Sequence, residues 1–391
     1  MARKLLTLIC VLVLCKNIDL KSLKLKQVLV LSRHNVRTPL TSNLQRFSPK
    51  QWPKWDAKVA DLTAKGALLE SNMAEYFSSW LAKENLIKTC PKRDEVLIFA
   101  NTKPKTVDSA KVFAESAFRN CNVTVQYKNT TEMDPVFNPI FHNSSELFLN
   151  EVIKEMQAKL NATNLYTAYT ELNRILDIKN SDICKEDLLC DLTLVDNKAV
   201  YQDGEEPNVS GPLFYGNAIV DSFIMSYYEG KPDNEIAWGL INSHEQWELL
   251  TRISKENQNV RFNLTTGAKD LASPLLHYMF EIFEKSSPKF TLLMGHDSNL
   301  NPVIKALGFK SFTLDQYEPF PIGGRLVFQR WTDGENDFLK VEYFYLTFSQ
   351  LRAGTVLSLS NPPLKVIMEL NTCEVNENGF CPWNEFMKLA F

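Results

Sequence analysis

The chain has 391 residues, 45% of them hydrophobic and 23% charged, with 43 Lys and Arg against 46 Asp and Glu. That length allows two domains and that composition is ordinary for a soluble globular protein, which excludes a disordered chain, a collagen-like repeat and a multi-span membrane protein. A slightly acidic balance, with no run of Lys and Arg inside the body, also disfavours nucleic acid as a partner.

Arg3 and Lys4 precede a mostly apolar run from Leu5 to Leu14, and Lys16 breaks that run, which is the pattern of an export signal. A helix that spans a bilayer needs about 20 apolar residues, so this run is too short, and no later segment comes close. We expect a signal peptide over residues 1–15, with the cut site between 15 and 23, and a mature form that leaves the membrane for the periplasm or the medium.

The run Gln27 to Ser32 is short, apolar and rich in Val and Leu, as a strand buried on both faces should be, and it ends directly in Arg33-His34. Similar runs lie at Glu95 to Ala100, Phe290 to Met294, Leu326 to Trp331 and Leu339 to Leu346. Between several of them the chain is helix-like, as at Lys65 to Lys83 and Asp108 to Phe118. From about Glu146 to Lys269 strand-like runs are scarce, while Leu147 to Leu160 and Tyr166 to Leu176 repeat apolar residues every three to four positions. The pattern predicts an α/β fold with a mixed central sheet flanked by helices. Its catalytic domain is split between residues 24–140 and 270–391, and a smaller α-helical domain is inserted over 141–269.

Of eight cysteines, Cys10 and Cys15 belong to the leader. Cys184 and Cys190 lie six apart, Cys373 and Cys381 eight apart, and Cys90 and Cys121 flank one strand-like run, so three local disulfides are one reading. Such bonds suit an oxidising compartment and agree with the leader. A metal site is the competing reading, against which stand the lack of C-x-x-C spacing and of any histidine close to a pair.

Chemistry concentrates where two strands end. Arg33-His34-Asn35-Val36-Arg37-Thr38-Pro39 follows the first strand of the body, at the edge where open α/β sheets bind ligands. Phosphoryl transfer needs cations around the equatorial oxygens and an in-line nucleophile. Two arginines, whose planar forks match phosphate, bracket an imidazole that supplies the second requirement. Thr291 to Met294 also ends in a polar group, Gly295-His296-Asp297, and Asp297 adds a carboxyl able to protonate a leaving oxygen. A free Asp titrates near about 3.9, so that role calls for a raised pKa. His142, His244 and His277 have no partner motif and read as structural or surface groups. Trp52, Trp55 and Trp247 are candidates for stacking on a sugar, packing being the commoner use. Glu206, just before Pro207 and Ser210-Gly211-Pro212, is a candidate contact for the sugar part of a substrate, an exposed loop carboxylate being the alternative.

These residues carry a resemblance. Arg33-His34-x-x-Arg37-x-Pro39 with a distant His296-Asp297 resembles the signature of the histidine acid phosphatase family, and within it the bacterial periplasmic glucose-1-phosphatases. The likeness runs through Met133 to Pro139, Ser210 to Leu213, Tyr227 to Gly230, Pro321 to Arg325 and Gly379 to Pro382. Asn35, where most relatives carry glycine, is a trait of that subgroup. The resemblance implies His34 as nucleophile, Arg33 and Arg37 as phosphate clamps, His296 as a further phosphate ligand, and Asp297 as general acid and later as base. It also implies no metal or cofactor, and disulfides Cys90 with Cys121, Cys184 with Cys190, and Cys373 with Cys381. One position departs: relatives place a third phosphate-binding arginine where this chain has Lys105, which keeps the charge and loses the fork. The implied activity is hydrolysis of small phosphate esters, hexose phosphates first and inositol phosphates next. A broad acid phosphatase or phytase, or a noncatalytic binder weakened by Lys105, are the alternatives.

Overall fold

The structure, a computed structural model, describes residues 23–41 and 43–390; the expected signal peptide lies outside them. Strand β1 (Lys24–Arg33) is apolar on both sides and is used on both sides. Val28 and Val30 enter one core, Leu29 and Leu31 the other, and all four are fully buried. A strand's period of two makes that division automatic.

Helix α1 (Ala64–Lys83) follows, capped by the Thr63 hydroxyl, which accepts from the Gly66 N–H. Gly66 also lets the helix press against the loop after β1, because a Cβ there would sit 2.1 Å from the Val36 carbonyl oxygen. Next come β2 (Val96–Ala100), α2 (Pro104–Ala117) and the two-residue β3 (Val125–Gln126). Helix α2 starts earlier than the apolar spacing suggests because Pro104 sits in its first turn, where its fixed φ suits a helix and its missing N–H costs nothing.

The middle of the chain is mainly helical: α3 (Glu146–Ala162), α4 (Tyr166–Leu176), α5 (Asp182–Asp187), a hairpin of β4 (Lys198–Val200) and β5 (Asn208–Ser210), then α6 (Pro212–Glu229) and α7 (His244–Arg261). Its buried side chains, such as Met156, Leu172, Phe223 and Leu250, belong to the same cluster as Met73 and Phe77 of α1 and Phe113 of α2. The helical stretch therefore shares a core with one face of the sheet.

The chain then returns through α8 (Ala268–Phe283), β6 (Phe290–Gly295), α9 (Asp297–Leu307), β7 (Arg325–Thr332), β8 (Asp337–Tyr345), α10 (Phe348–Ala353), β9 (Leu364–Ile367), β10 (Phe380–Pro382) and α11 (Trp383–Met387). Among the described residues the main sheet runs β10-β8-β7-β1-β6-β2-β3, with β9 also on β8. Pairings on one side of β1 are parallel (β1 with β6, β6 with β2, β2 with β3) and on the other antiparallel, so the sheet is mixed. Helices α8 and α9 cover the face bearing Leu29 and Leu31; α1 and α2 cover the other. No helix among the described residues is long and apolar enough to cross a membrane.

The six body cysteines are paired in the order Cys90–Cys121, Cys184–Cys190 and Cys373–Cys381, with Cα separations of 5.3, 4.3 and 5.9 Å. Sequence separations of 31, 6 and 8 give the first bond the largest loop to close. On loop entropy alone, replacing Cys90 and Cys121 together by Ser should cost about 3.5 kcal/mol of unfolding free energy against about 2 for the Cys184 and Cys190 pair. Denaturant midpoints of the two double variants check that order.

Candidate active site

Strands β1, β6 and β2 run parallel as neighbours, with Arg33 opposite Gly295 and Ala100 opposite Met294, so their carboxyl ends meet at one edge. Whatever follows each strand emerges side by side there. After β1 come His34 and Arg37; after β6 come His296, the N-cap of α9, and Asp297 in its first turn; after β2 comes Lys105, in the first turn of α2. The His34 and His296 rings lie 5.4 Å apart, tilted by 73°, and Arg33 Nη2 is 3.3 Å from Asp297 Oδ2. Glu206 reaches the same space from the β4–β5 connection. The structure thus brings Arg33, His34, Arg37, Lys105, Glu206, His296 and Asp297 around one cavity of about 250 Å³.

Buried cations need partners, and the pocket supplies them from elements remote in sequence. Arg33 Nη1 donates to Glu318 Oε1 at 2.7 Å, and Glu318 is held in turn by the Tyr228 hydroxyl at 2.8 Å. Arg37 makes a two-pronged bond to Asp221 of α6, at 2.8 and 2.9 Å. Arg261 of α7 holds Glu206 at 3.0 Å. Each of the first two guanidiniums keeps a buried Nε–H with no acceptor. Lys105 differs from all three arginines: among the described residues it has no carboxylate within ion-pair distance, and Asp221 and Asp297 act on it only from farther off. Burial first, and then the Arg37 charge, push its ammonium down to about 8.

His34 Nδ1 lies 2.9 Å from the backbone carbonyl of Asn35, an atom that can only accept. The proton therefore sits on Nδ1 and the lone pair on Nε2. Burial, then the charges of Lys105, Arg37 and Arg33, hold the ring well below the ordinary histidine value, so it is neutral. His296 is held down in the same direction by burial and by Lys105. Asn101 adds a hydrogen-bonding reason. Its Oδ1 accepts from the N–H groups of Thr102 (2.8 Å) and Asp134 (3.0 Å), which turns its NH2 toward His296 Nε2 at 3.0 Å. A ring nitrogen facing a donor cannot carry a proton as well.

Asp297 departs from expectation. The acid role calls for a raised pKa, and burial does push in that direction, but Arg33, Arg37 and the Ser298 N–H outweigh it and hold the carboxyl below its usual range. Its place in the first turn of an 11-residue helix adds the favourable end of a macrodipole. Glu206 goes the other way, raised by burial despite Arg261.

Sequence reasoning missed Glu318, Asp221 and Asn101. Asp221 left one trace, as the only charged residue of α6 before Glu229. Glu318 and Asn101 sit in loops with no motif. Trp52, Trp55 and Trp247 do not line the cavity: Trp52 stacks on Phe223, and Trp247 packs edge-on against Tyr227 and Phe348. His142, His244 and His277 lie outside it too, with His244 bonded to the Tyr317 hydroxyl. Among the described residues no cluster of His, Cys, Asp and Glu could hold a metal ion.

With this geometry in view, comparison with known proteins is informative. The profile of the histidine phosphatase superfamily (branch 2) matches residues 24–149. The chain is 42% identical to the glucose-1-phosphatase of Providencia rettgeri and 40% identical to that of Salmonella typhimurium, covering in each case 93% of this chain and 91% of the relative. Among solved structures, the phytase from Citrobacter braakii superposes with a TM-score of 0.84 at 25% identity, over 94% of this chain and 97% of that one.

If Asn101 keeps His296 neutral, Asn101→Asp should reverse the effect by offering a carboxylate in place of a donor. The His296 resonance in a proton NMR titration should then move up toward or beyond the ordinary histidine value, whereas the parent ring stays uncharged there; identical titrations would remove Asn101 from this role.

Proposed function

Because the chain belongs to the histidine phosphatase superfamily, branch 2, we propose that its pocket works by double displacement through His34, with hexose 1-phosphates its leading substrates and inositol phosphates next. The protein is a phosphomonoesterase, and the substrate order follows the 42% identity to a glucose-1-phosphatase against 25% to a phytase. The observation that carries the mechanism is the meeting of a neutral imidazole with two oriented guanidiniums and a carboxyl in one cavity.

In the first step the phosphoryl group seats on Arg33, Arg37 and Lys105, whose charges match that spread over its oxygens, with neutral His296 beside them as a hydrogen-bonding ligand. His34 Nε2 attacks phosphorus, the P–O bond to the sugar breaks, and Asp297 gives its proton to the departing oxygen. A P–N bond now holds the phosphoryl group, while Nδ1–H stays on the Asn35 carbonyl. In the second step Asp297, now a carboxylate, takes a proton from water as that water attacks phosphorus; the P–N bond breaks and inorganic phosphate leaves. The low pKa of Asp297 fits this scheme through the substrate's own charge. A dianion seated on Arg33 and Arg37 takes over the cations that hold the carboxyl down and repels its negative form, so Asp297 gains a proton as substrate binds.

Glu206, steadied by Arg261, is assigned to the sugar hydroxyls at the mouth of the pocket. We also assign the protein to an oxidising compartment outside the cytoplasm, which three disulfides support; the leader that would carry it there lies outside the described residues.

His34→Ala should abolish the covalent phosphoenzyme trapped by rapid quench with radiolabelled substrate, and label persisting in that variant would move the nucleophile elsewhere. Lys105 yields a second test. Losing an arginine's charge-assisted bond costs about 1.5–3 kcal/mol, so Lys105→Arg should raise turnover on the order of 10- to 100-fold. An ammonium that titrates near 8 loses its charge above that pH, so kcat/KM of the parent should fall as pH rises through 8. In Lys105→Arg that alkaline limb should disappear or move up; an unchanged limb would assign it to another group.

A further inference from the structure

Beneath the pocket lies a buried polar network that the mechanism above does not use. Glu70 of α1 and Arg325, first residue of β7, are both fully buried, and Arg325 Nη2 lies 3.1 and 2.9 Å from the two oxygens of Glu70. The pair does not stand alone. Glu70 Oε2 accepts from Asn35 Nδ2 at 3.0 Å, and Asn35 Oδ1 accepts from the Val36 N–H at 3.0 Å. The Asn35 N–H itself donates to Ser109 Oγ at 3.2 Å.

The far side is tied to the backbone, with only Arg325 Nη1 of that side chain left without an acceptor. Arg325 Nε donates to the Gly323 carbonyl at 3.1 Å, and the Gly323 N–H donates to the His34 carbonyl at 3.1 Å. Gly323 has φ of +66°, and a Cβ on it would lie 2.7 Å from Asn35 Nδ2. The Asn35 amide fills the space a side chain there would need, and both of its polar atoms are engaged.

We infer that Asn35 is the positioning residue of the nucleophile: anchored on the Glu70–Arg325 pair, its amide fixes the peptide whose carbonyl accepts the hydrogen bond from His34 Nδ1–H. The inference rests on His34 being the nucleophile. Its physical basis is the difference between tautomers. A neutral imidazole with the proton on Nε2 has no lone pair facing phosphorus, so turnover scales with the fraction held as Nδ1–H. An isolated backbone carbonyl in a loop can rotate away; one belonging to a residue tied at its N–H, Oδ1 and Nδ2 cannot.

Asn35→Ala tests this while leaving Glu70 bonded to Arg325. Its melting temperature should stay near that of the parent, kcat should fall on the order of 10- to 100-fold, and KM should change by less than about twofold. Nitrogen NMR of His34 should show an Nε2–H population absent from the parent, an outcome that loss of packing alone would not give. Asn35→Ser, whose hydroxyl is too short to reach Glu70, should behave alike and serves if the alanine variant folds poorly. Parental kcat in either folded variant, or a lowered kcat with the parental tautomer signature, would overturn the inference. Because the NMR readout needs no turnover, it separates failure here from failure of the His34 assignment, which the phosphoenzyme trap in His34→Ala reports.

Discussion

The register between β1 and β6 is the constraint on which the site depends. Parallel pairing sets Arg33 opposite Gly295, and the His34 N–H donates to the Gly295 carbonyl at 3.0 Å. Residues some 260 positions apart in the chain are thereby made neighbours by backbone bonds before any side chain is considered. A slip of one residue would turn Val28 and Val30 toward the core that Leu29 and Leu31 occupy and separate the two imidazoles at the same time. Hydrophobic burial on both faces of the sheet therefore protects the geometry of the pocket without any residue having to serve both ends.

The second constraint is electrostatic. Five basic side chains and four carboxylates line one small cavity, a density of charge that would repel itself apart if unpaired. Glu318 and Asp221 answer Arg33 and Arg37 from outside the strand ends, and in doing so fix which edge of each guanidinium faces the cavity. Among the described residues Lys103 and Lys105 have no carboxylate within ion-pair distance, and burial brings the Lys105 ammonium down to about 8, where its protonation is sensitive to pH. An arginine there would bring a planar fork and a permanent charge together; with lysine the fork is absent and the charge is conditional on pH.

Much of this was legible in the sequence. The strands at Gln27 to Ser32 and Phe290 to Met294 are buried on both faces, so their composition announces them, and the charged groups that follow stand out against them. Strands β3, β9 and β10 are too short for a period to show. The counter-ions are a different matter. Arg37 meets Asp221 across 184 positions, Arg33 meets Glu318 across 285, and Arg325 meets Glu70 across 255. A single polar residue whose partner lies that far away makes no local pattern, so only coordinates reveal it. The proton affinity of Asp297 was misjudged for the same reason: burial was foreseeable from the strand end, and the 3.3 Å approach of Arg33 was not.

The bond between Arg37 and Asp221 has a bearing on how such enzymes diversify. Asp221 belongs to α6, in the helical stretch that also supplies Glu206 and Arg261 to the pocket mouth. A chimera that grafts this stretch from a relative would also replace the counter-ion of Arg37. The Glu206–Arg261 pair and the partner of Arg37 are inherited together on that segment, and a graft with an acidic residue at the Asp221 position is the kind that leaves Arg37 paired.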